Sequence, residues 1–373
     1  MSHREEMVQE FCELVRIPSL SGHEGRLAAV LAGKLSEIGL TVEFDSAHEA
    51  IGGEVGNLIA RLPARDPARP TVMLQSHMDT VAPGEGIRPV VADDCITSAG
   101  DTILGADAKA GVTVILSALR RIVAEAPAHG ELQVVFCIAE ETGLNGAFNL
   151  DYSRISPQYA FVFDGGKAAG QMTTAAPSAY KITYEMAGLA AHAGVRPEAG
   201  INAIQAAASG IARMRLGRID HETTANIGLI GGGQARNIVP DRCTIKGEAR
   251  SHDEDKLRSQ VAHMQLCLEH AAKEAGARLL EPQVEASYRC FSLPQDAPVV
   301  QVARRAAETL GLEPRTEIGG GGSDANVFNE RGIPAVICAT GSEGAHTLQE
   351  RLDIEQFVKC ADWLVEIIKT AGS

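Results

Sequence analysis

The hydrophobic positions of the first 170 residues alternate between helical and strand spacing. Residues 4–16 carry apolar side chains on one helical face, and a second helix is predicted to run to about Ile38, before Gly39. Strands are predicted at residues 41–44, 57–61, 71–75, 134–138 and 159–163. A further apolar helix is predicted over residues 112–123. This alternation of strands and helices predicts a mixed α/β sheet with helices on both faces.

The pattern changes between about residue 173 and residue 292. This segment is predicted to contain strands at 178–186, 225–230, 242–249 and 284–291 and helices at 201–214 and 254–275. Its order of elements fits a small two-layer α+β insert. After it, a helix between Pro298 and Gly311, a buried strand and a terminal amphipathic helix restore the first pattern. The sequence therefore predicts a discontinuous domain of residues 1–172 and 293–373, interrupted by an insert of residues 173–292.

Acidic and imidazole side chains follow three of the predicted buried strands. His77 and Asp79 follow one strand, Glu140 and Glu141 follow a second, and Asp164 follows a third. Ligands bind outside the carboxyl ends of the strands in open α/β sheets, so we expect these side chains to share one site. Adjacent carboxylates such as Glu140 and Glu141 repel each other unless a cation neutralises them.

Two glycine-rich loops supply further candidates. Asp107 lies in Gly105–Gly111 at a helix start, where an aspartate either caps the helix or presents a carboxylate to a metal. The loop lacks the Gly-Lys-Ser/Thr ending of a phosphate-binding loop, which argues against nucleotide binding. His346 ends the second loop, which begins at Gly341. These loops extend the candidate site beyond the strand ends.

Together these residues suit a pair of metal ions. The candidate ligands are His77, Asp107, Glu141, Asp164 and His346. They are too few for two isolated zinc ions, but they suffice for a pair of ions that shares Asp107 and a bridging water. Two such ions jointly lower the pKa of that water and polarise a carbonyl. Glu140 remains free to act as general base and then as general acid in amide hydrolysis. Asp79 can orient His77 through the second ring nitrogen.

The type of ligand favours zinc, with manganese and cobalt as alternatives. The sequence contains no Gly-x-Ser-x-Gly motif, and no cysteine has a nearby histidine that resembles a catalytic partner. Serine and cysteine nucleophiles are therefore less favoured than a metal centre.

Composition narrows the function further. The 373-residue chain has a net charge of −14, and a pI of about 5.3, so nucleic acid and anionic membranes are disfavoured partners. Its eight cysteines are scattered without a Cys-x-x-Cys pair, which is typical of free thiols in a reducing cytoplasm. No apolar run reaches 18 residues, and the N-terminus lacks the apolar region of a signal peptide. We therefore expect a cytoplasmic protein.

The ordered set of motifs resembles the co-catalytic zinc exopeptidases, the family of peptidase T, glutamate carboxypeptidase and the aminoacylases. The motifs are His77-x-Asp79, Gly105–Asp107, Glu140-Glu141, Asp164 and His346. Gly105–Gly111 and the Gly-Gly-Gly-Ser-Asp-Ala stretch that ends at Ala325 are most similar to the peptidase T-like branch. Several relatives have a second aspartate after the bridging one, where this chain has Ala108.

The resemblance implies a role for each candidate. His77 and Asp164 would hold one zinc ion, Glu141 and His346 the other, and Asp107 would bridge them. The discontinuous domain would be the catalytic domain, and the insert would be a lid and dimerisation domain that makes the protein a homodimer.

Within the implied lid, His192 matches the histidine that stabilises the oxyanion in a partner subunit's site. Asn237 and Arg250 match positions that hold the substrate backbone and carboxylate, and a guanidinium suits bidentate binding of a carboxylate.

Three functions are consistent with these residues. The first is an aminopeptidase that removes the N-terminal residue of a short peptide. The second is a carboxypeptidase or an N-acyl-amino-acid deacylase, because Arg250 suits any small substrate with a free carboxylate. The third is a metal-binding scaffold without activity, which the presence of Glu140 and of the complete ligand set disfavours.

Overall fold

The computed structural model describes residues 2–372 and divides the chain into two compact units. The first unit comprises Met1–Ala175, Ser292–Gly319 and Ser323–Ser373. The inserted unit comprises Ala176–Phe291 together with Gly320–Gly322. The limits of the inserted unit lie within three residues of the predicted boundaries, 173 and 292. The short segment Gly320–Gly322 belongs to the inserted unit, although the sequence predicts it to be part of the discontinuous domain.

The elements of the chain follow in order. Up to residue 176 they are α1 (His3–Val15), α2 (Gly25–Ile38), β1 (Thr41–Phe44), α3 (His48–Ile51), β2 (Leu58–Leu62), β3 (Val72–His77), β4 (Pro89–Ala92), β5 (Cys95–Ser98), α4 (Ala106–Glu125), β6 (Leu132–Cys137), α5 (Asn145–Phe148), β7 (Tyr159–Gly165) and β8 (Gln171–Ala176). From residue 178 to residue 288 they are β9 (Ser178–Ala187), α6 (Ala203–Ile211), β10 (Gly217–Arg218), β11 (Thr223–Gly232), β12 (Arg242–Ser251), α7 (Glu254–Ala275), β13 (Arg278–Leu279) and β14 (Gln283–Tyr288). The remainder are β15 (Phe291–Ser292), α8 (Pro298–Thr309), β16 (Arg315–Ile318), α9 (Asp324–Glu330), β17 (Ala335–Ala339), β18 (Ser342–Glu343), β19 (Arg351–Asp353) and α10 (Ile354–Thr370).

The large sheet of the first unit is mixed, as the sequence predicts. Its strand order is β1-β2-β6-β3-β7-β17-β8, and β16 also pairs with β8. The four central strands, β6, β3, β7 and β17, are mutually parallel, whereas β1 and β2 are antiparallel. Every residue of β3, β6 and β17 is buried. Near-continuous apolar runs are expected for such parallel strands, and the carboxyl ends of the four strands lie side by side.

Helix α4 packs directly on the central strands β3 and β7. Gly111, in the first turns of this helix, permits the close approach: a Cβ there would lie 1.9 Å from the carbonyl oxygen of Phe163 and 2.7 Å from Ser76 Oγ. The Ser76 hydroxyl itself lies 3.0 Å from the Phe163 oxygen and 3.1 Å from the Ala108 oxygen. These contacts fix the start of α4, and with it the turn that carries Asp107.

A small antiparallel sheet, which the sequence pattern does not predict, also belongs to the first unit. Its strand order is β18-β19-β5-β4. Its strands contain only two to four residues, too few for an alternating pattern to be recognised. Helix α9 is likewise absent from the prediction, although Ser323 and Asn326 form a capping box at its start.

The inserted unit is an antiparallel sheet with two helices and its own apolar core. Its strand order is β10-β11-β12-β9-β13, and β14 pairs with β9. Helices α6 and α7 pack against each other and against β12. The core includes Tyr184, Met264 and Leu268, which are buried. Asp253 is the N-cap of helix α7, and its carboxylate accepts the N–H groups of Asp255 and Lys256.

Two further properties of the described residues concern helix hydrophobicity and the cysteines. None of the helices between residues 2 and 372 combines the length and apolarity that crossing a bilayer requires. All eight cysteines are free thiols.

We predict that Gly111→Ala destabilises the first unit. The added methyl group would overlap the Phe163 carbonyl, so the helix must shift, and overpacking of this kind costs about 1–3 kcal/mol of unfolding free energy. Urea titration monitored by circular dichroism measures the change. The matched control is Gly33→Ala in α2, where a Cβ meets no atom within 4 Å and a gain of about 0.5–1 kcal/mol is expected. Equal effects of the two substitutions would contradict the prediction.

Candidate metal centre

Three neighbouring parallel strands of the large sheet and one loop of the small sheet present the candidate side chains. His77 is the last residue of β3, and Asp164 is the sixth residue of β7. Glu140 and Glu141 follow β6 by three and four residues, and His346 lies in the loop between β18 and β19. The side chains predicted to share a site from their positions after buried strands thus lie together in the structure.

Asp107 completes the cluster from the turn that starts α4. Its backbone, and that of Ala108, departs from helical dihedral angles, and the peptide bond between them is cis. Asp107 Oδ1 lies 3.1 Å from His77 Nε2, and Asp107 Oδ2 lies 3.3 Å from His346 Nε2. One carboxylate therefore presents a different oxygen to each imidazole.

Each imidazole also faces a second carboxylate of its own. His77 Nε2 lies 3.2 Å from Asp164 Oδ1. His346 Nε2 lies 3.0 Å and 2.9 Å from the two oxygens of Glu141. The cluster consequently divides into two sets of donors that share Asp107. Ligand atoms of His77, Asp107 and Glu141 all lie within 4.8 Å of one another, close enough to hold one metal ion.

Asp79 fixes both His77 and the turn that carries Glu140. His77 Nδ1 lies 3.0 Å from the backbone oxygen of Asp79 and 3.3 Å from Asp79 Oδ1. The Asp79 carboxylate is fully buried and accepts the N–H groups of Glu140 and Glu141 and the hydroxyl of Ser21. The sequence predicts only a contact between His77 and the Asp79 carboxylate. In the structure the backbone carbonyl also contributes, and the carboxylate orients a second strand end.

The electrostatics of the cluster are those of a cation site. Burial would lower the pKa of His77, but the charge of Asp164 and hydrogen bonds to Asp107 and Asp79 raise it well above its ordinary value. Hydrogen bonds to Asp107 and Glu141 raise the pKa of His346 to about 10. Burial would raise the pKa of Asp107, yet its hydrogen bonds to both histidines lower it. The clustered carboxylates thus favour positive charge, which protonated imidazoles or metal ions can supply.

Glu140 differs from the ligand carboxylates. Glu140 is buried, and burial raises its pKa well above the ordinary value. The charge of His77 opposes this rise, whereas the charge of Asp164 adds to it. A carboxylate with a raised pKa is better matched to accepting and returning a proton near neutral pH. Its environment therefore suits a general base.

Two residues without a predicted role support the cluster. Ser323 Oγ donates to Asp164 Oδ2 over 2.7 Å, and Ser323 lies in the glycine-rich stretch that the resemblance singled out. The buried Glu24 accepts the N–H groups of Gly22 and Ala139 and so holds the residue that precedes Glu140. No local pattern marks Glu24, because one of its two partners lies 115 residues away.

A cavity of about 240 Å³ adjoins the cluster within the first unit. It is lined by Asp107 and Asp164, by the backbone around Gly165, and by Thr340, Ser342 and other residues of the His346 loop.

The three remaining candidates lie in the inserted unit. His192 is exposed, and its Nδ1 accepts the N–H groups of Gly194 and Val195, which leaves Nε2 as the donor. Asn237 is exposed on a neighbouring segment, and its carbonyl accepts the N–H of Ala193. Arg250 makes a bidentate ion pair with Glu248, with N–O distances of 3.0 Å. The roles of these residues remain predictions.

Comparison with known proteins identifies the family. A profile of peptidase family M20/M25/M40 matches residues 73–370. The chain is 41% identical over 372 residues to the uncharacterized protein YqjE of Bacillus subtilis (strain 168), with complete coverage of both chains.

Two solved structures also match over almost their whole length. The aminopeptidase PepT from Bacillus cereus ATCC 10987 gives a TM-score of 0.88 at 42% identity and covers 99% of each chain. A tripeptidase from Staphylococcus aureus subsp. aureus Mu50 gives a TM-score of 0.93 at 38% identity, and the match covers 99% of this chain and 98% of the tripeptidase chain. These matches confirm the family resemblance that the motifs indicate. They also confirm the predicted mixed α/β architecture. The chain belongs to peptidase family M20/M25/M40.

Proposed function

We propose that this protein is a dinuclear zinc aminopeptidase that removes the N-terminal residue of short peptides. The observation that carries the proposal is the division of the donors into two sets around Asp107, each with its own imidazole and its own second carboxylate. Relatives named aminopeptidase PepT and tripeptidase, at about 40% identity over the whole chain, support peptides as the substrate.

The donor set fits two divalent cations. His77 and Asp164 would hold one ion, His346 and Glu141 the other, and Asp107 would contribute one oxygen to each. Imidazole and carboxylate ligands suit zinc, and manganese or cobalt could replace it. Ions bound there would supply Lewis acidity and lower the pKa of a water molecule. Ser323 and Asp79 would hold Asp164 and His77 in place.

Glu140 performs the proton transfers in the proposed reaction. It takes a proton from water as the water oxygen attacks the carbonyl carbon of the first peptide bond. It then gives this proton to the amide nitrogen as the C–N bond breaks and the amine leaves. The raised pKa of Glu140 supports both transfers, since the group must hold the proton between them.

The inserted unit would supply substrate contacts. We propose that the Nε2–H of His192 donates to the developing oxyanion in a partner subunit's site, and that Asn237 holds the substrate backbone. Arg250 would bind the C-terminal carboxylate of a short peptide. Because Arg250 is paired with Glu248, a substrate carboxylate must displace that neighbour or share the guanidinium with it.

We also propose that the protein is a homodimer formed through the inserted unit. Strand β11 pairs with β10 only at Ala225 and Thr224, so the rest of its outer edge, to Gly232, lies unpaired within this unit. Leu229 and Ile230 on this edge are 66% and 50% exposed. An apolar edge strand of this kind favours pairing with a second copy.

The eight free thiols support a cytoplasmic location.

The experiment that tests the function uses one tripeptide in three forms: free at both ends, N-acetylated, and C-amidated. We expect about two zinc ions per chain, release of the N-terminal residue, and loss of cleavage on N-acetylation. Loss on amidation alone, or release of the acetyl group, would establish a carboxypeptidase or deacylase instead. Absence of metal, or of cleavage with added zinc, manganese or cobalt, would favour a non-catalytic scaffold.

The same assay includes Glu140→Gln. This variant should retain its metal but lose about 10²–10⁴-fold in kcat, because the proton acceptor is removed while the ligands remain. Glu49→Gln, an exposed substitution, is the control and should keep the wild-type rate. A Glu140→Gln enzyme with a near-normal kcat would exclude the proposed proton transfers.

Metal binding should release protons. Both histidines have raised pKa values, that of His346 being about 10, so each must lose a proton to bind a cation at neutral pH. Affinity should therefore rise with pH up to about 10 for this group. Zinc titration calorimetry of the metal-free protein, in two buffers of different ionisation enthalpy, measures the proton count, and about one to two protons per chain are expected.

His346→Ala should reduce this proton count, whereas His221→Ala, which alters a largely exposed side chain, should preserve it. Identical binding enthalpies in the two buffers would contradict the prediction.

Dimerisation is tested by Leu229→Lys. A charge on the unpaired edge should disfavour pairing of two copies, so the sedimentation mass should fall from twice 39.4 kDa towards the mass of one chain. Val91→Lys, on the exposed β4 of the first unit, is the matched control and should leave the mass unchanged. A monomeric wild-type protein would refute the proposed dimer.

A further inference from the structure

Glu350 is a buried carboxylate that lies outside the proposed ligand set. It is 2% exposed and directly precedes β19, four residues after His346. Its Oε2 accepts the N–H groups of Leu104 and Gly105 over 2.8 Å and 2.7 Å, and its Oε1 accepts the N–H of Asp107 over 2.9 Å. All three donors belong to the turn in which α4 begins.

These donors could have been satisfied locally. The first N–H groups of a helix have no partner within the helix, and a side chain near in sequence usually caps them. Here the carboxylate comes from 243 residues further along the chain. Its hydrogen bonds therefore do more than cap the turn: they tie the loop that carries Asp107 to the loop that carries His346.

The connection from Glu350 back to His346 is short and internally hydrogen-bonded. The Glu350 N–H donates to the Thr347 carbonyl over 3.2 Å, and Thr347 Oγ1 donates to the Gly344 carbonyl over 2.7 Å. His346 itself has a positive φ of 63°, so its backbone conformation is set by this turn. A shift of the Glu350 carboxylate would thus be transmitted to both loops.

Nearby groups partly compensate the burial of the Glu350 carboxylate. Lys109, fully buried two residues after Asp107, donates from Nζ to the Ile17 carbonyl over 2.8 Å, and its charge interacts with those of Glu350 and Asp79. An isolated buried carboxylate would be unfavourable, and the three N–H donors and Lys109 offset part of that cost, although burial still raises the pKa of Glu350 and lowers that of Lys109 to about 7. The arrangement keeps Glu350 available as a hydrogen-bond acceptor in the interior.

We propose that Glu350 is a positioning residue that fixes Asp107 relative to His346, and thereby sets the geometry of the donor set formed by His346, Glu141 and Asp107 Oδ2. This inference rests on the proposed dinuclear centre, because it concerns the half of that centre whose ligands lie on two separate loops. The donor set of His77 and Asp164 lies on the adjacent strands β3 and β7 and depends less on the Glu350 contacts.

The test is Glu350→Gln, read out by metal affinity rather than by activity alone. The amide has one acceptor oxygen for three donors, and its NH₂ group would face a backbone N–H. We expect one of the two zinc affinities to fall about 10–100-fold while the other changes less, as is typical for residues that support metal ligands. The metal-free protein is titrated with zinc against a chromophoric chelator, and with cobalt(II) to follow the visible absorption of each site. Glu350→Asp keeps the charge and should recover part of the affinity.

Glu10→Gln is the matched control. Glu10 is also a buried carboxylate of the first unit, 7% exposed, but it pairs with Arg120 and Lys34 on helices α4 and α2. This variant should lose thermal stability without losing metal affinity. Unchanged affinities in Glu350→Gln and Glu350→Asp, with normal binding of two ions by the wild-type protein, would overturn the inference alone. Failure of the wild-type protein to bind two ions would instead overturn the proposed function and the inference with it.

Discussion

Repulsion among buried carboxylates is the constraint on which the rest of the site depends. Asp107, Glu141 and Asp164 lie close enough to share two imidazoles, and Glu140 adds a fourth carboxyl group to the same sheet edge. Like charges at this separation are unfavourable in a low dielectric unless positive charge accompanies them. The raised pKa values of His77 and His346 are one consequence, and the fit to two divalent cations is the other. The fold must therefore hold groups together that would separate if they were free.

The large sheet provides that restraint. The parallel strands β6, β3 and β7 end side by side, so backbone pairing holds the ligands on β3 and β7 and the ligand that follows β6 against their mutual repulsion. Packing of α4 on β3 and β7, through Gly111 and Ser76, adds the turn of Asp107 to this frame. His346 lies outside this sheet, in the loop between β18 and β19, and is the most exposed of the ligands. Glu350 secures that segment.

The sequence alone predicts the parts of the site that local patterns encode. His77, Glu141 and Asp164 were identified because each follows a buried apolar strand, and parallel strands bring such residues to one edge. The supporting residues could not be found in this way. Glu24 and Glu350 reach partners 115 and more than 240 residues away, and no local pattern reports a contact of that separation. Helix α9 and the short strands β4, β5, β18 and β19 were missed because they are brief and depend on tertiary pairing.

Hydrogen bonding distinguishes the carboxylates that could bind metal from those that stabilise the backbone around the site. Asp79 and Glu350 accept backbone N–H groups at both carboxylate oxygens, which makes each a fixed part of the interior. The oxygens of Asp107, Glu141 and Asp164 face imidazoles, a hydroxyl and one another instead, so their negative charge remains directed at the centre of the cluster. Acidic residues are numerous in this chain, and composition does not distinguish metal-binding carboxylates from structural ones. The hydrogen bonds that each carboxylate accepts do distinguish them. A carboxylate already satisfied by backbone donors has less to gain from a cation than one that faces other ligands.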